Sequence, residues 1–352
     1  MSKYWSAITR NIAPYTPGEQ PKDKKYIKLN TNENPYPPSP RVLDIIRRMA
    51  DDSLRLYPDP SCDELRRVIA SHYGFEKSQV FVGNGSDEIL AFAFRAFFDP
   101  DRTVLFPEIT YTFYPVYSQL FGLRYQLVPM DDDFNIDLEA FLQRNGGIVF
   151  PNPNAPTGRC LALESVREIV EGNMDSVVIV DEAYIDFGGE SALSLVPEYP
   201  NLLIVHTLSK SRSLAGLRVG YAIGHPDLIE GLDRIKNSFN SYTLDRLALA
   251  AGAEAVKDEE YFKQSCMKVI RTRERTASEL VGMGFQVIPS TANFLFISHP
   301  GWEGAALYQK LRERNILVRH FNKPRIHAYL RVSIGTDEEM DAFLKAVEEI
   351  VR

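Results

Sequence analysis

Short apolar runs alternate with amphipathic segments along most of this chain, and the alternation predicts strands separated by helices. The runs predicted as strands are 79–82, 103–106, 123–128, 148–150, 177–180, 202–205 and 218–223. Each run is short and is bounded by polar or turn-forming residues, which favours strands over buried helices. The pattern therefore indicates an α/β fold with a mostly parallel sheet sandwiched by helices.

Helix signals fall between and after these runs. Predicted helices cover 41–51, 227–236, 243–256 and 261–283, and a further helix is expected between Ser61, as its N-cap, and Gly74, where it ends. After residue 283 the order is strand, strand, helix, strand, strand, helix, with one of the strands at 317–319. That order predicts a compact α+β unit at the C-terminus.

The domain division follows from these elements. The first 25 residues are polar, contain Pro14, Pro17 and Pro21, and show no sustained period, so we expect an extended arm. We expect the arm at 1–26, a large domain at 27–256 and a smaller α+β C-terminal domain at 257–352. A length of 352 residues suits two domains better than one core.

Composition and charge narrow the class of protein. Hydrophobic residues make up 44% and charged residues 25%, as in soluble globular proteins. The net charge of -7, without a basic run, argues against a nucleic-acid partner. No apolar stretch approaches the roughly 18 residues of a membrane span, and no signal peptide opens the chain, so a cytoplasmic location is expected. Cys62, Cys160 and Cys266 are interpreted as reduced thiols, and no metal site is expected.

A glycine turn follows the first predicted strand. Residues 83–88 read Gly-Asn-Gly-Ser-Asp-Glu and lead into an apolar helix. A strand, a glycine turn and a helix start together aim backbone N–H groups at a phosphate, although a plain strand-to-helix connection has the same pattern. It is not a dinucleotide fingerprint, because Glu88 stands where the third glycine should be.

Lys210 follows the apolar run at 202–205 and is surrounded by groups that suit an anion. Thr207, Ser209 and Arg218 lie nearby in the sequence, and ligands of open α/β sheets bind at the carboxyl ends of strands. The alternative is a solvated lysine in a polar loop. Asp181, at the end of 177–180, must be paired with a cation or be neutral, which fits either a ligand's ring nitrogen or a structural salt bridge.

Together these residues are the parts that pyridoxal 5′-phosphate requires. Its aldehyde needs a lysine, and its ring nitrogen needs a carboxylate. Its phosphate needs hydroxyls, amides and a guanidinium, and the face of its ring accepts an aromatic side chain such as Tyr111. The chain resembles the fold-type I aminotransferases over nearly its whole length. The motifs that carry the resemblance are 28–35, 56–58, 83–88, 110–111, 152–158, 181–184, 207–210 with 217–220, and 330–335.

The resemblance implies roles toward the cofactor. Lys210 would bond to the cofactor and carry the proton, and Asp181 would keep the ring nitrogen protonated. Tyr184 would hydrogen-bond the phenolic oxygen, and Tyr111 would stack on the ring. The phosphate would be held by Gly85, Ser86, Asp87, Thr207, Ser209 and Arg218, together with Tyr57 of the partner subunit. The active unit is accordingly expected to be a homodimer.

Within this family the chain is most similar to members that act on histidinol phosphate. That similarity implies amino transfer between L-glutamate and imidazole-acetol phosphate in histidine biosynthesis. Arg331 would bind the glutamate carboxylate, Arg319 the substrate phosphate, and Tyr15 would close over the imidazole, although Arg319 could be a surface residue and Tyr15 only a packing one. The alternatives are an aromatic aminotransferase, a threonine-phosphate decarboxylase, or a non-catalytic cofactor-binding module.

One position departs from the family pattern. Many members carry a second asparagine directly before the Pro-Thr-Gly of 156–158, where its amide contacts the phenolic oxygen of the cofactor. Here that position is Ala155. The loss of one hydrogen bond has a net effect on the order of 1 kcal/mol. The sequence leaves open whether Asn154 or a water molecule substitutes.

Overall fold

The computed structural model describes residues 2–352, and it alternates strands and helices through most of the chain. The strands are β1 (Ile27–Lys28), β2 (Val80–Asn84), β3 (Val104–Pro107), β4 (Tyr125–Val128), β5 (Gly147–Pro151), β6 (Val178–Asp181), β7 (Leu202–Thr207), β8 (Val219–Gly224), β9 (Gln286–Ile288), β10 (Phe294–Ser298), β11 (Ile316–Leu317), β12 (Arg319–His320) and β13 (Leu330–Ser333). The helices are α1 (Ala7–Asn11), α2 (Pro40–Met49), α3 (Asp63–Tyr73), α4 (Gly85–Phe97), α5 (Phe113–Phe121), α6 (Leu163–Glu171), α7 (Pro226–Phe239), α8 (Arg246–Lys257), α9 (Glu259–Gly282), α10 (Gly304–Glu313) and α11 (Asp337–Val351).

A seven-stranded sheet lies at the centre, in the order β2-β8-β7-β6-β5-β3-β4. Strand β8 is antiparallel to both of its neighbours, and the other adjacent pairs are parallel. The mostly parallel α/β fold is therefore confirmed. All residues of β5, β6, β7 and β8 are buried, which agrees with their continuous apolar runs.

Helices cover both faces of this sheet. Alternate residues of one strand point to opposite faces, so Val178 and Val180 pack with α2, α3, α6 and α8, whereas Ile179 packs with α4, α5 and α7. The core is thus split into two apolar layers with the sheet between them. This sandwich fixes the carboxyl ends of the parallel strands along a common edge.

The smaller C-terminal unit is built on an antiparallel sheet of order β12-β13-β10-β9. Its core joins Phe294 of β10 and Phe343 of α11 to Val269 of the long helix α9. Strand β1 pairs in parallel with β11, so the chain leaves the arm beside this unit before entering the seven-stranded sheet. The predicted α+β character is confirmed.

Two local predictions were wrong. Ser61 does not cap α3: the preceding residue of the helix is Cys62, in the left-handed region, and Asp59 accepts the backbone N–H of Asp63 at 2.7 Å. The strand predicted at 317–319 is divided between two sheets, because Leu317 pairs with Lys28 and Arg319 pairs with Arg331.

Other local expectations were close. Gly74 ends α3 with a φ of 77°, as predicted. Within residues 2–26, the arm contains the short helix α1, capped by Ser6, and no other helix or strand. Among residues 2–352, no helix is both long and apolar enough to cross a membrane.

Candidate active site

A cleft lies at the carboxyl edge of the parallel strands, where the arm and the C-terminal unit meet the large sheet. It collects nearly all of the predicted site residues. Its lining includes Tyr15, Ser86, Asp87, Tyr111, Asp181, Tyr184, Thr207, Ser209, Lys210, Arg218, Arg319 and Arg331. The arrangement follows from the sheet, since β6 ends at Asp181 and β7 ends at Thr207 on the same edge.

The phosphate cradle is formed where β8 passes the first turn of α4. An added Cβ at Gly220 would lie 2.5 Å from the backbone nitrogen of Ser86, so β8 can approach this closely only with glycine there. Gly85 has a φ of 78° and opens α4, which aims its amides into the cleft. Because β8 is antiparallel, its first residues lie at this edge, and Arg218 precedes them with a φ of 54°.

Polar contacts hold the cradle together. Arg218 donates through Nη2 to Asp87 Oδ2 at 2.9 Å and through Nη1 to Ser209 Oγ at 3.4 Å. Thr207 Oγ1 lies 3.0 Å from Ser209 Oγ and accepts the Ser209 N–H at 3.2 Å. Tyr111 donates its hydroxyl to Asp87 Oδ1 at 2.7 Å. A guanidinium, two hydroxyls and a helix start thus converge as an anion site.

The Lys210 amine projects into the cleft beside these groups. Nζ donates to the carbonyl oxygen of Thr31 at 3.4 Å and lies 5.8 Å from the centre of the Tyr184 ring. A neutral carbonyl is a weak partner for an ammonium group. The amine is therefore available to a ligand in the cleft.

Asp181 is a buried carboxyl group at the floor of the cleft. Its Oδ2 accepts the Tyr114 hydroxyl at 3.2 Å, and its Oδ1 accepts the Ala183 N–H at 3.3 Å. Burial raises its pKa to about 7, and the charge of Asp87 adds to the rise. A cation bound beside Asp181 would stabilise its ionised form.

Tyr184 and Arg331 both line the cleft. The Tyr184 hydroxyl accepts the Asn32 side-chain amide at 2.9 Å. Arg331 donates from Nη2 to the Asn30 carbonyl at 3.1 Å, and its Nε is shielded from solvent without a hydrogen-bond partner. Burial lowers the pKa of Arg331. A shielded guanidinium with an unpaired N–H indicates a place for a carboxylate.

Arg319 and Tyr15 bring the arm to the cleft. Arg319 donates to the carbonyl oxygens of Thr16 and Pro17, both at 3.2 Å. The Tyr15 ring stacks on Phe113 at 4.3 Å and lies 6.5 Å from the Tyr111 ring. Both residues therefore line the entrance next to the aromatic face that Tyr111 presents.

Tyr57 stands apart from the other predicted site residues. Its side chain is 79% exposed and stacks on Tyr242 with 4.7 Å between the ring centres. It does not line the cleft of its own chain.

Ala155 lines the cleft but offers no side-chain donor, and Asn154 does not replace the missing amide. Asn154 Nδ2 donates to the Ile109 carbonyl at 3.0 Å and to Thr157 Oγ1 at 2.9 Å, in the loop itself. Asn154 therefore does not substitute for the missing amide at position 155, because its own amide nitrogen already donates to other groups.

Sequence reasoning missed several groups next to the site. Tyr114 was not singled out, and Asn32 was included in the motif 28–35 without a role of its own. Behind the cradle, His206 Nε2 lies 2.8 Å from Glu182 Oε2, and its Nδ1 lies 3.0 Å from the Tyr221 hydroxyl. A polar residue at each of two adjacent strand ends was the available signal for this buried pair.

The residues present fit pyridoxal 5′-phosphate. Glycine at 220 and at 85 lets β8 and Arg218 pack against the start of α4, where a Cβ would collide with them, and Arg218 brings a positive charge to the backbone N–H groups of that helix start. Lys210 and the buried Asp181 lie in the same cleft. The unpaired N–H of Arg331 remains for the carboxylate of a substrate.

Comparisons with known proteins agree with this geometry. The aminotransferase class I and II family matches residues 24–347. Histidinol-phosphate aminotransferase of Clostridium botulinum (strain Langeland) is 59% identical over 351 residues, covering 100% of this chain and 99% of that protein. The protein of the same name from Clostridium acetobutylicum is 57% identical, with 100% of both chains covered.

A solved structure shows the same fold. Histidinol-phosphate aminotransferase from Sinorhizobium meliloti, in complex with pyridoxal-5′-phosphate, superposes with a TM-score of 0.90 at 25% identity. The match covers 100% of this chain and 98% of that one.

Proposed function

This chain belongs to the class I and II aminotransferases, and we propose that it converts histidinol phosphate and 2-oxoglutarate reversibly into imidazole-acetol phosphate and L-glutamate, in histidine biosynthesis. It is a pyridoxal-phosphate-dependent transferase. The observation that carries the proposal is the unpaired N–H of Arg331 in the cleft that holds Lys210 and Asp181. The names of the clostridial relatives support the choice of substrate.

When bound, pyridoxal phosphate supplies an aldehyde that takes up amino groups and a ring that withdraws electrons from the α-carbon of the substrate. Lys210 is proposed to bond to it and to move the proton at that carbon, as nucleophile and then as general base. Asp181 is proposed to hold the proton on the ring nitrogen. Its burial favours such a pair, because an isolated carboxylate there is costly.

The remaining residues are proposed to bind and orient. Gly85, Ser86, Asp87, Thr207, Ser209 and Arg218 would hold the phosphate of the cofactor. Tyr111 would cover the ring, and Tyr184 would donate to its phenolic oxygen. Arg331 would bind the carboxylate of glutamate.

Arg319 and Tyr15 are proposed to select the substrate. Arg319 brings a guanidinium to the entrance, where the phosphate of histidinol phosphate would lie, and Tyr15 adds an aromatic face for the imidazole. A phosphate and an imidazole on one substrate thus match a cation and an aromatic ring on one side of the cleft.

We also propose that the active unit is a homodimer, with Tyr57 of the partner subunit reaching the cofactor phosphate. The exposed position of Tyr57, away from its own cleft, supports this assignment. A cytoplasmic location is proposed because phosphorylated substrates do not cross membranes freely. Fractionation of the source cells would test the location.

The reaction is tested with purified holoenzyme, L-glutamate and imidazole-acetol phosphate. We expect 2-oxoglutarate to form at a kcat of about 1 to 10³ s⁻¹, the usual range for enzymes. Absence of 2-oxoglutarate from protein that retains cofactor absorbance would refute the proposal. Faster turnover of phenylpyruvate would favour an aromatic aminotransferase, and carbon dioxide release from threonine phosphate would favour the decarboxylase.

A spectral control separates enzyme from binding module. Glutamate added alone should change the visible absorbance of the bound cofactor, since the first half of the reaction needs no acceptor. A spectrum that glutamate leaves unchanged would favour a non-catalytic cofactor-binding protein.

A further inference from the structure

Asn32 contacts Tyr184 from the polar loop that follows β1, and it has no assigned role. The residue is 1% exposed, and its Nδ2 donates to the Tyr184 hydroxyl at 2.9 Å. We infer that Asn32 is a positioning residue, which fixes the Tyr184 hydroxyl as a hydrogen-bond donor into the cleft. The inference rests on the proposed contact between Tyr184 and the phenolic oxygen of the cofactor.

The direction of the hydrogen bond carries the argument. An amide N–H can only donate, so the Tyr184 oxygen accepts from Asn32. The hydroxyl proton of Tyr184 is then free to be donated to another acceptor. Tyr184 lines the cleft, so that acceptor is a group bound there.

The orientation of the Asn32 amide is set by the C-terminal unit. Ser333 Oγ accepts the backbone N–H of Asn32 at 2.9 Å and donates to Asn32 Oδ1 at 2.9 Å. The amide oxygen therefore faces Ser333, and the amide nitrogen faces Tyr184. A rotated amide would place its oxygen against the tyrosine and would compete for its proton.

The backbone of Asn32 is held in an uncommon conformation. Its φ is 57°, in the left-handed region that asparagine tolerates better than most side chains. Asn293 Nδ2 donates to the Asn32 carbonyl at 2.9 Å, away from the Asn32 side chain. Glycine is the substitution that keeps this backbone while removing the side chain.

The same loop contacts the amine that performs the proposed chemistry. The Thr31 carbonyl accepts Lys210 Nζ at 3.4 Å, and Asn32 contacts Tyr184. Ser333 lies two positions after Arg331 on β13. One short network therefore joins the proposed carboxylate-binding strand to the Tyr184 hydroxyl.

Ala155 gives this network its importance. Where many family members place an asparagine amide, this chain has a methyl group, and Asn154 Nδ2 is engaged within its loop. Tyr184 then has to supply the side-chain donor to the phenolic oxygen without help from that position. A hydroxyl that points the wrong way would leave the oxygen without this donor.

The test is a pH titration of the visible absorbance of the holoenzyme, without substrate. A hydrogen-bond donor to the phenolic oxygen of the cofactor stabilises the negative charge on that oxygen. The oxygen then holds the proton beside it less strongly, so that proton is lost at a lower pH. Tyr184→Phe should therefore raise the pH midpoint of the absorbance change by about one unit. Asn32→Gly should raise the same midpoint by about half as much. Lys210, Asp181 and Arg331, which also face this cleft, are unchanged in both variants.

A double-mutant comparison separates positioning from general disturbance. In the Tyr184→Phe background, Asn32→Gly should give no further shift, because there is no hydroxyl left to orient. Asn293→Ala is the matched control, since it removes a bond to the Asn32 carbonyl and leaves the Tyr184 contact. It should leave the midpoint within about 0.2 pH units, well inside the shift of one hydrogen bond.

The outcomes distinguish this inference from the proposed function. If Tyr184→Phe does not move the midpoint, the proposed role of Tyr184 fails. If Tyr184→Phe moves it but Asn32→Gly does not, or moves it equally in both backgrounds, the role of Asn32 is refuted. Thermal unfolding will show whether Asn32→Gly is folded. If it is not, Ser333→Ala, which frees the Asn32 amide to rotate, takes its place and must raise the midpoint. An unchanged midpoint in Ser333→Ala then refutes the inference.

Discussion

Asp181 is a carboxyl group placed where its charge is costly until a cation joins it. Its pKa of about 7 in the folded chain lies above the usual value of 3.8, because of burial. Between those two pH values the folded state binds more protons than the unfolded state, so the contribution of Asp181 to stability falls as pH rises. Above pH 7 the whole cost is present, on the order of 4 kcal/mol.

Asp181→Asn should therefore stabilise the cofactor-free protein at high pH. We expect the free energy of unfolding in urea to exceed that of the unsubstituted protein at pH 8 by several kcal/mol, on the order of the 4 kcal/mol above, and to differ little at pH 4. Asp132→Asn, at a fully exposed position, should show no such pH dependence. A gain of equal size at both pH values would mean that the Asp181 charge is not the cause.

Lys210→Ala tests the chemical role of the amine. The variant should still bind pyridoxal phosphate in equilibrium dialysis, because the phosphate cradle is intact, but transamination should fall by about 10³ or more. Lys263→Ala, which removes a lysine that is 74% exposed, serves as the control and should retain activity. Normal turnover by Lys210→Ala would overturn the whole assignment.

At the scale of residues, the sequence predicted groups that lie at strand ends and missed those that reach them from elsewhere. Lys210 and Asp181 follow apolar runs directly, so their placement in the cleft could be predicted. Asn32 meets Tyr184 across 152 positions, and only folding brings that pair together. Tyr114 resembled any apolar helix residue, because its single polar atom reveals nothing about its partner.

At the scale of elements, the run at 218–223 was predicted as a strand, but its direction could not be read. A buried strand has the same apolar pattern whether it is parallel or antiparallel to its neighbours. The antiparallel course of β8 is what brings Arg218 to the edge where β7 ends. The short strands β11 and β12 were merged for a similar reason, since pairing partners leave little trace in two residues.

The arm is attached to the C-terminal unit through Glu19. Its carboxylate accepts from Arg312 Nε at 3.1 Å and from the Tyr308 hydroxyl, both on α10, and its carbonyl accepts from Asn30 at 2.8 Å. Burial, and after it the hydrogen bond to Glu19, raise the pKa of Tyr308 to about 12. Since Tyr15 lies four residues earlier, the attachment holds its ring near the cleft.

Glu19→Ala should loosen this arm and weaken binding of histidinol phosphate. We expect its KM to rise about fivefold to tenfold, the equivalent of about 1 kcal/mol, while the KM for glutamate stays unchanged. Glu313→Ala is the matched control, because Glu313 lies on α10, the helix that Glu19 contacts, and its side chain is 51% exposed. Equal changes in both KM values would mean that Glu19 supports the fold rather than the arm.

At the scale of the molecule, several large apolar side chains at and near Tyr57 are exposed. Leu54 and Leu56 are 54% and 48% exposed, and Tyr242 stacks on Tyr57. Contiguous exposed apolar groups of this kind mark interaction surfaces. The proposed division into an arm, a large domain at 27–256 and a small domain at 257–352 places this surface on the large domain.

Substitutions on this surface should separate assembly from cofactor binding. Leu54→Asp should shift the mass measured by light scattering from dimer to monomer, because a carboxylate would be buried in an apolar contact. Tyr57→Phe should remain a dimer but bind pyridoxal phosphate several-fold more weakly, through the loss of one hydrogen bond. Leu120→Asp, at another exposed leucine, should change neither property. A Leu54→Asp protein that remains dimeric would place the interface elsewhere.

The pairing of β2 with β8 also sets an order of events during protein synthesis. Val80 pairs in register with Ile223, so β2 cannot pair with β8 until most of the large domain has left the ribosome. The cradle at Gly85 and Arg218 cannot close earlier, because its two halves flank those strands. Nascent chains stalled before residue 219 should therefore retain no pyridoxal phosphate on gel filtration. Cofactor binding is accordingly expected late in synthesis of the chain.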